Sequence, residues 1–242
     1  MLSKSRVKYI QSLSQKKFRR SAEVFLVEGP KCVEEMMAEA PQAIEAVYAL
    51  KEWCEVHPAV PSLEEITPEE LAKISQLTTP NQVLALVRKP QPAVAFDPRN
   101  KISLFLETIQ DPGNMGTIIR LADWFGITQV AATPDSVDFF HPKVVQSTMG
   151  SILRVKCFEM ETTGLLHQAG MVPVWAATLE GKDIRELEVP DEAVIVIGNE
   201  SRGISDALRT EVDQEIMIPR FGKAESLNAA MATGVLLGWL RI

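Results

Sequence analysis

Three short segments beyond residue 110 gather the residue types that bind ligands or stabilise developing charge. The first, Asp111-Pro112-Gly113-Asn114-Met115-Gly116, opens a helix-like stretch that carries Arg120. Glycines let backbone approach a ligand, and a helix N-terminus favours an anion. A guanidinium close to such a start could grip a phosphate or an oxygen with its planar fork, or equally snorkel to solvent beside a plain turn. The second segment, Gly198-Asn199-Glu200-Ser201-Arg202-Gly203, follows the apolar run Ala193 to Ile197. It departs from the dinucleotide fingerprint Gly-x-Gly-x-x-Gly, because Glu200 replaces the glycine that approaches pyrophosphate, so a nicotinamide cofactor is disfavoured. A carboxylate there suits a polar, cationic or hydroxyl-bearing ligand; a surface turn is the alternative. The third, Ile218 to Asn228, contains Arg220, Lys223, Ser226 and Asn228, and Ser226 is placed to cap the apolar helix that follows.

Five short runs read as the buried strands that carry these segments: Ile102 to Leu106, Gln129 to Ala132, Val172 to Ala177, Ala193 to Ile197 and Glu215 to Ile218. Helix-like stretches separate them, the pattern of an α/β domain with a largely parallel sheet. In such sheets ligands collect beyond the carboxyl ends of the strands, where the three segments lie. The N-terminal third reads as a smaller α/β module, with strands at Phe25 to Val27, Ile44 to Leu50 and Gln82 to Val87. Thr67-Pro68-Glu69-Glu70 combines an N-cap, a first-turn proline and a capping-box glutamate, and predicts a helix start. Pro90, Pro92 and Pro98 punctuate a stretch without periodicity. The expected organisation is therefore a domain over 1–90, a linker over 91–100 and a second domain over 101–242.

The formal net charge of −7 argues against a nucleic-acid partner until its distribution is examined. Residues 1–20 hold seven Lys/Arg and no acid, which leaves −14 on the rest of the chain. That basic arm can meet phosphates. It can also be an amphipathic helix through Val7, Ile10, Leu13 and Phe18, or a serine-rich transit peptide. Cys32, Cys54 and Cys157 are odd in number and never spaced as C-x-x-C, so neither a disulfide framework nor a metal site is expected. The apolar stretch Ala229 to Leu240 is too short to span a bilayer, and Met1 to Ile10 lacks a secretory apolar core. The expected location is cytoplasmic, with no membrane partner.

In their order and separations the three segments resemble the signature motifs of the SpoU (TrmH) family of RNA 2'-O-ribose methyltransferases, in the SPOUT superfamily. The stretch Lys143 to Arg154, with Ser147, Gly150 and Leu153, also follows that pattern. Phe25-Leu26-Val27-Glu28-Gly29, with the helix after it and the strand at Gln82 to Val87, is similar to the family's ribosomal-protein-like RNA-binding domain. The resemblance covers nearly the whole chain. It departs at Ala229-Ala230, where many members carry valine and serine, and at Gln110, where apolar residues are more usual.

The resemblance implies an α/β catalytic domain with a largely parallel sheet tied in a trefoil knot, an outcome that general topology rules disfavour. It further implies S-adenosylmethionine as cofactor, RNA and above all ribosomal RNA as partner, and a homodimer. By motif position, Gly198, Ile218, Leu227 and Thr178 would bind the cofactor. Arg120, Asn114, Glu200, Ser226 and Asn228 would form the catalytic set. His57, His141 and His167 lie outside all three motifs, and an arginine stays protonated in proteins. Arg120 is therefore expected to orient the hydroxyl and a neighbouring phosphate while phosphate or water takes the proton. Asn114 and Asn228 would position ribose and arginine, with Ser226 and Glu200 in support. Rival readings are a non-catalytic RNA-binding or ribosome-assembly protein of this fold, a tRNA 2'-O-methyltransferase and a base methyltransferase.

Overall fold

Amphipathic stretches and short apolar runs alternate through the first ninety residues, and each run patterned as a strand becomes one. The computed structural model describes residues 1–90 and 95–242, so Pro92, inside the expected linker, lies outside the described residues. The chain opens with α1 (Lys4–Ser12), whose N-terminal amide of Arg6 donates to the Ser3 hydroxyl, and α2 (Lys16–Ala22). It continues through β1 (Val24–Glu28), α3 (Pro30–Glu39), β2 (Ile44–Ala49), α4 (Lys51–Val56), β3 (Leu63–Glu65), α5 (Pro68–Ile74) and β4 (Val83–Arg88). The strands form one sheet in the order β1-β4-β2-β3. β4 runs antiparallel to both β1 and β2, whereas β2 and β3 are parallel. The capping box forms as the sequence predicts: the Thr67 hydroxyl accepts from the Glu70 amide and the Glu70 carboxylate from the Thr67 amide.

After the stretch around Pro98 come β5 (Ile102–Leu106), α6 (Pro112–Trp124) and β6 (Gln129–Ala132), then α7 (Pro142–Thr148). The remainder is β7 (Lys156–Glu159), α8 (Thr162–Ala169), β8 (Val174–Asp183), β9 (Ala193–Ile197), α9 (Asp206–Arg209), β10 (Gln214–Met217) and α10 (Ala229–Arg241). Contacts divide the chain into two units: Met1–Gln91 with Asp138–Leu153, and Pro92–Val137 with Arg154–Ile242. The reading of 101–242 as one domain did not anticipate that α7 and its flanks group with the N-terminal residues.

The first unit explains what the basic arm does. Ile10 and Leu13 are fully buried in a cluster with Val24, Leu26, Leu71 and Leu86. Each such side chain contributes roughly 1.5–3 kcal/mol of burial. Arg19, 1 % exposed, donates to Asp138 through Nε at 2.9 Å and Nη2 at 2.6 Å. Its Nη1 satisfies the carbonyls of Leu13 and Ser14 at 2.8 and 2.7 Å. The Arg6 guanidinium lies over the Tyr9 and Tyr48 rings. The segment 1–20 is thus two docked helices, and part of its positive charge is spent on intramolecular partners.

In the second unit the sheet order is β10-β8-β9-β5-β6-β7, with every described neighbour pair parallel. β5, β6 and β9 are buried along their whole length, as expected of parallel strands covered on both faces. Their bounds coincide with the predicted runs. β7 is a sixth strand that the sequence pattern missed, since Lys156 and Glu159 are exposed at the sheet edge. The chain passes from β5 outward to β7, then crosses over to place β8 and β9 on the other side of β5. The strand order therefore reverses between β5 and β9, the position where open α/β sheets bind ligands. No helix among the described residues is long and apolar enough to cross a membrane.

Asp138→Ala would leave the Arg19 guanidinium buried without its counter-charge. Urea unfolding should then show a loss of about 3–5 kcal/mol. A loss below about 1 kcal/mol, the worth of an exposed pair, would mean that the guanidinium reaches water.

Candidate functional site

The loops that leave β5 and β9 are bound to each other before any ligand is considered. The Glu107 carboxylate, buried at the end of β5, accepts from the Ser205 amide and hydroxyl, both at 2.7 Å. The Asn199 side chain donates to the Thr108 carbonyl at 2.9 Å, while its own oxygen accepts from the amides of Ser201 and Arg202. Thr108 takes a left-handed backbone with φ of 58°. That conformation is unfavourable for a β-branched residue, by about 1–3 kcal/mol. It persists because the Thr108 amide donates to the Thr133 hydroxyl at 2.9 Å and its hydroxyl to Asp135 at 2.8 Å. The hydroxyls of Thr133 and then Thr108 hold the Asp135 carboxyl below the usual range. Gly198 is required where the 198–203 turn closes on itself, because a Cβ there would overlap the backbone of Gly203 and Ile204.

On this frame three polar side chains from three elements are joined in series. Asn228 caps α10, its oxygen accepting from the amides of Ala230 at 3.0 Å and Met231 at 3.2 Å. Its amide nitrogen must then face away from the helix, and it donates to the Asn114 oxygen at 2.8 Å. That leaves the Asn114 nitrogen to donate, which it does to Glu200. The helix end thereby fixes both amide orientations. The Asp111 carboxylate caps α6 through the Asn114 amide at 2.8 Å, so the Asp111 to Gly116 segment is a capped first helical turn and not a glycine loop.

Beside this series lies a cavity of about 580 Å³. That volume is ordinary for a site that encloses a small molecule. All four cofactor-binding candidates, Thr178, Gly198, Ile218 and Leu227, line it together with Glu200 and Ser226. Two observations favour a ligand with both polar and apolar parts. The Thr178 hydroxyl is buried on the cavity wall and, after the Arg209 guanidinium, helps hold the Glu215 pKa below the usual range. Leu179, Phe221 and Leu227 line the same space while remaining exposed.

Other expectations are met differently. Ser226 is exposed and does not cap α10; Asn228 does, because the helix begins at Ala229. Arg120 is exposed in the third turn of α6, since that helix starts at Pro112. At 1.5 Å per residue this sets it roughly 12 Å along the axis from the helix start. It has no hydrogen bond or ion pair among the described residues and does not line the cavity. Glu200, expected in a supporting role, accepts from Asn114. None of the three histidines lines the cavity: His57 stacks on Trp53, His141 caps α7, and His167 lies in α8. Burial, followed by the Arg19 charge, lowers the His141 pKa. Sequence reasoning missed Asn199, whose turn-closing role hides among loop polars, and Arg209 in the four-residue α9.

Known proteins share this fold. The model of the SpoU rRNA Methylase family matches residues 101–238, and that of the MRM3-like substrate binding domain matches residues 4–85. The 23S rRNA (guanosine(2553)-2'-O)-methyltransferase RlmP of Bacillus subtilis is 28% identical over 246 residues, covering 98% of this chain and 96% of that protein. An RNA methyltransferase of the TrmH family from Porphyromonas gingivalis superposes with a TM-score of 0.87 at 34% identity, over 100% of this chain and 98% of that one. An rRNA methyltransferase from Sinorhizobium meliloti, solved with AdoMet bound, gives a TM-score of 0.87 at 28% identity, over 100% and 96% of the two chains. The family match spans more than half of the sequence and includes the crevice between β5 and β9, and on these grounds the chain belongs to the SpoU rRNA Methylase family.

Proposed function

We propose that this protein methylates the 2'-hydroxyl of a ribose in ribosomal RNA, using S-adenosylmethionine. The observation that carries the reading is the convergence of Thr178, Gly198, Ile218 and Leu227 on one cavity, directly beside the series Asn228, Asn114 and Glu200. The cofactor, when bound, supplies a methyl group carried on a sulfonium. Thr178 offers it a hydroxyl, the turn at Gly198 offers close backbone approach, and Leu227 offers apolar cover. Asn114 and Asn228, locked in orientation, hold the ribose, and placing the hydroxyl is the main catalytic contribution. Arg120 donates to the hydroxyl oxygen as it gains negative charge and to a neighbouring phosphate, while phosphate or water accepts the proton. Ser226 supports that arrangement from the cavity wall.

Within one chain Arg120 touches none of the other candidates, which is consistent with a homodimer that completes the site. Exposed Trp124 on α6 and exposed Met231 and Val235 on α10 supply apolar surface for that association. The MRM3-like domain and its remaining basic residues would hold the RNA, which must present an accessible 2'-hydroxyl, as single-stranded loops do. A trefoil-knotted course through the second unit belongs to the same reading and rests on the family resemblance, whereas a cytoplasmic location rests on the sequence pattern alone.

Incubation with labelled S-adenosylmethionine and ribosomal RNA, followed by nucleoside analysis, should give 2'-O-methylated nucleosides. Base-methylated products or no transfer would overturn the reading. Arg120→Ala should lower the transfer rate by about 10²-fold or more, with only partial recovery in Arg120→Lys; a near-normal rate in Arg120→Ala would remove Arg120 from the mechanism. Glu200→Ala frees Asn114 and should slow single-turnover transfer roughly tenfold to a hundredfold, whereas Glu200→Gln keeps an acceptor oxygen and should keep more activity. Met231→Glu should shift the protein to a monomer in sedimentation and reduce transfer; an unchanged dimer would place the interface elsewhere.

A further inference from the structure

We infer that Arg209 is a positioning residue for the S-adenosylmethionine site, holding the cavity wall at residues 177–181 in place. The inference rests on the cofactor reading above and adds a residue outside the three motifs. Consecutive residues Glu215 and Ile216 of β10 pair with Ala176 and Lys182 of β8, so residues 177–181 leave the ladder between those two points. Thr178, Leu179 and Glu180 of this excursion line the cavity. At its end Gly181 returns so close to β10 that a Cβ would lie 2.6 Å from backbone atoms of Glu215 and Ile216. The end of the excursion at Gly181 is therefore held by close backbone contact, and the neighbouring Glu180 side chain offers a second point of attachment.

Arg209 supplies that hold. Its Nε and Nη2 donate to the two oxygens of Glu215 at 2.7 and 2.8 Å, and Nη2 also donates to Glu180 at 3.1 Å. One guanidinium thus joins the excursion to β10. Its own helix is anchored from beneath, since Ser205, the N-cap of α9, is held by the buried Glu107. Without Arg209, Glu180 and Glu215 would face each other as like charges at the point where the excursion rejoins the sheet. An exposed ion pair contributes little to global stability. Its effect here is local, on the wall that a bound cofactor would touch, so it should appear in cofactor affinity and not in the rate once the site is full.

The test is titration calorimetry with S-adenosylmethionine on the full-length protein, alongside steady-state methyl transfer. Arg209→Met should weaken cofactor binding roughly five- to tenfold and raise the cofactor KM in parallel. The kcat at saturating cofactor should change less than twofold, and Arg209→Lys should recover part of the affinity. Glu180→Gln removes only the charge from the excursion's side of the clamp, at an exposed carboxylate, and should weaken binding about two- to threefold without affecting folding. If the wild type binds and both Arg209→Met and Glu180→Gln bind equally well, the inference is wrong while the cofactor reading stands. If the wild type shows no binding, the cofactor reading fails and the inference falls with it. A loss confined to kcat, with unchanged affinity, would also overturn it.

Discussion

Parallel strands β5 and β9 end side by side, and the polar groups of the two loops that leave them satisfy one another. This constraint governs the rest of the second unit. A crevice at the reversal of strand order is open by construction, and its loops carry backbone groups that the sheet cannot pair. Here Glu107 and Thr108 from one loop hold Ser205 and Asn199 from the other, and Thr133 and Asp135 hold Thr108 in a conformation that it would not adopt alone. The 198–203 turn is therefore fixed from below, which gives Glu200 a defined place from which to accept from Asn114. The link from Asn114 to Glu200 and the part of the cavity wall formed by residues 198–203 depend on that ordering.

The parts of this fold that a single sequence reveals are those decided by local chemistry or by complete burial. β5, β6 and β9 are continuous apolar runs with sharp ends, and the Thr67 capping box is encoded within four residues. Two of the edge strands, β3 and β7, were not legible. β3 is three residues with two exposed glutamates, and β7 keeps only its middle half-buried, so neither produces an apolar signal. β8 runs past its predicted end at Ala177 to Asp183, because the later residues pair only through the returning register with β10. The N-cap of α10 was placed at Ser226 because serine and asparagine cap equally well in sequence, and the choice was made by where Ala229 starts to bury.

For the site, motif order identified residues that share a cavity, but not how they connect. Glycine, proline and cap residues each have a structural explanation, and only their spacing raised them above it. The series from Asn228 through Asn114 to Glu200 joins residues 86 and 114 positions apart, which no local pattern can encode. Arg209 left no trace in sequence, since its importance comes from two carboxylates contributed by β10 and the excursion of β8. Among the described residues no histidine lines the cavity, and the proposed reading relies on placement and charge stabilisation.

The segment Asp138–Leu153 leaves the second unit after Val137, supplies α7 to the first, and returns at Arg154. The MRM3-like region is consequently not a bead on a string. A cut near residue 90 would separate it from α7 and from the carboxylate that neutralises buried Arg19. Exchanging this region between relatives would require two pieces matched to each other, Met1–Gln91 and Asp138–Leu153, and not a single cut.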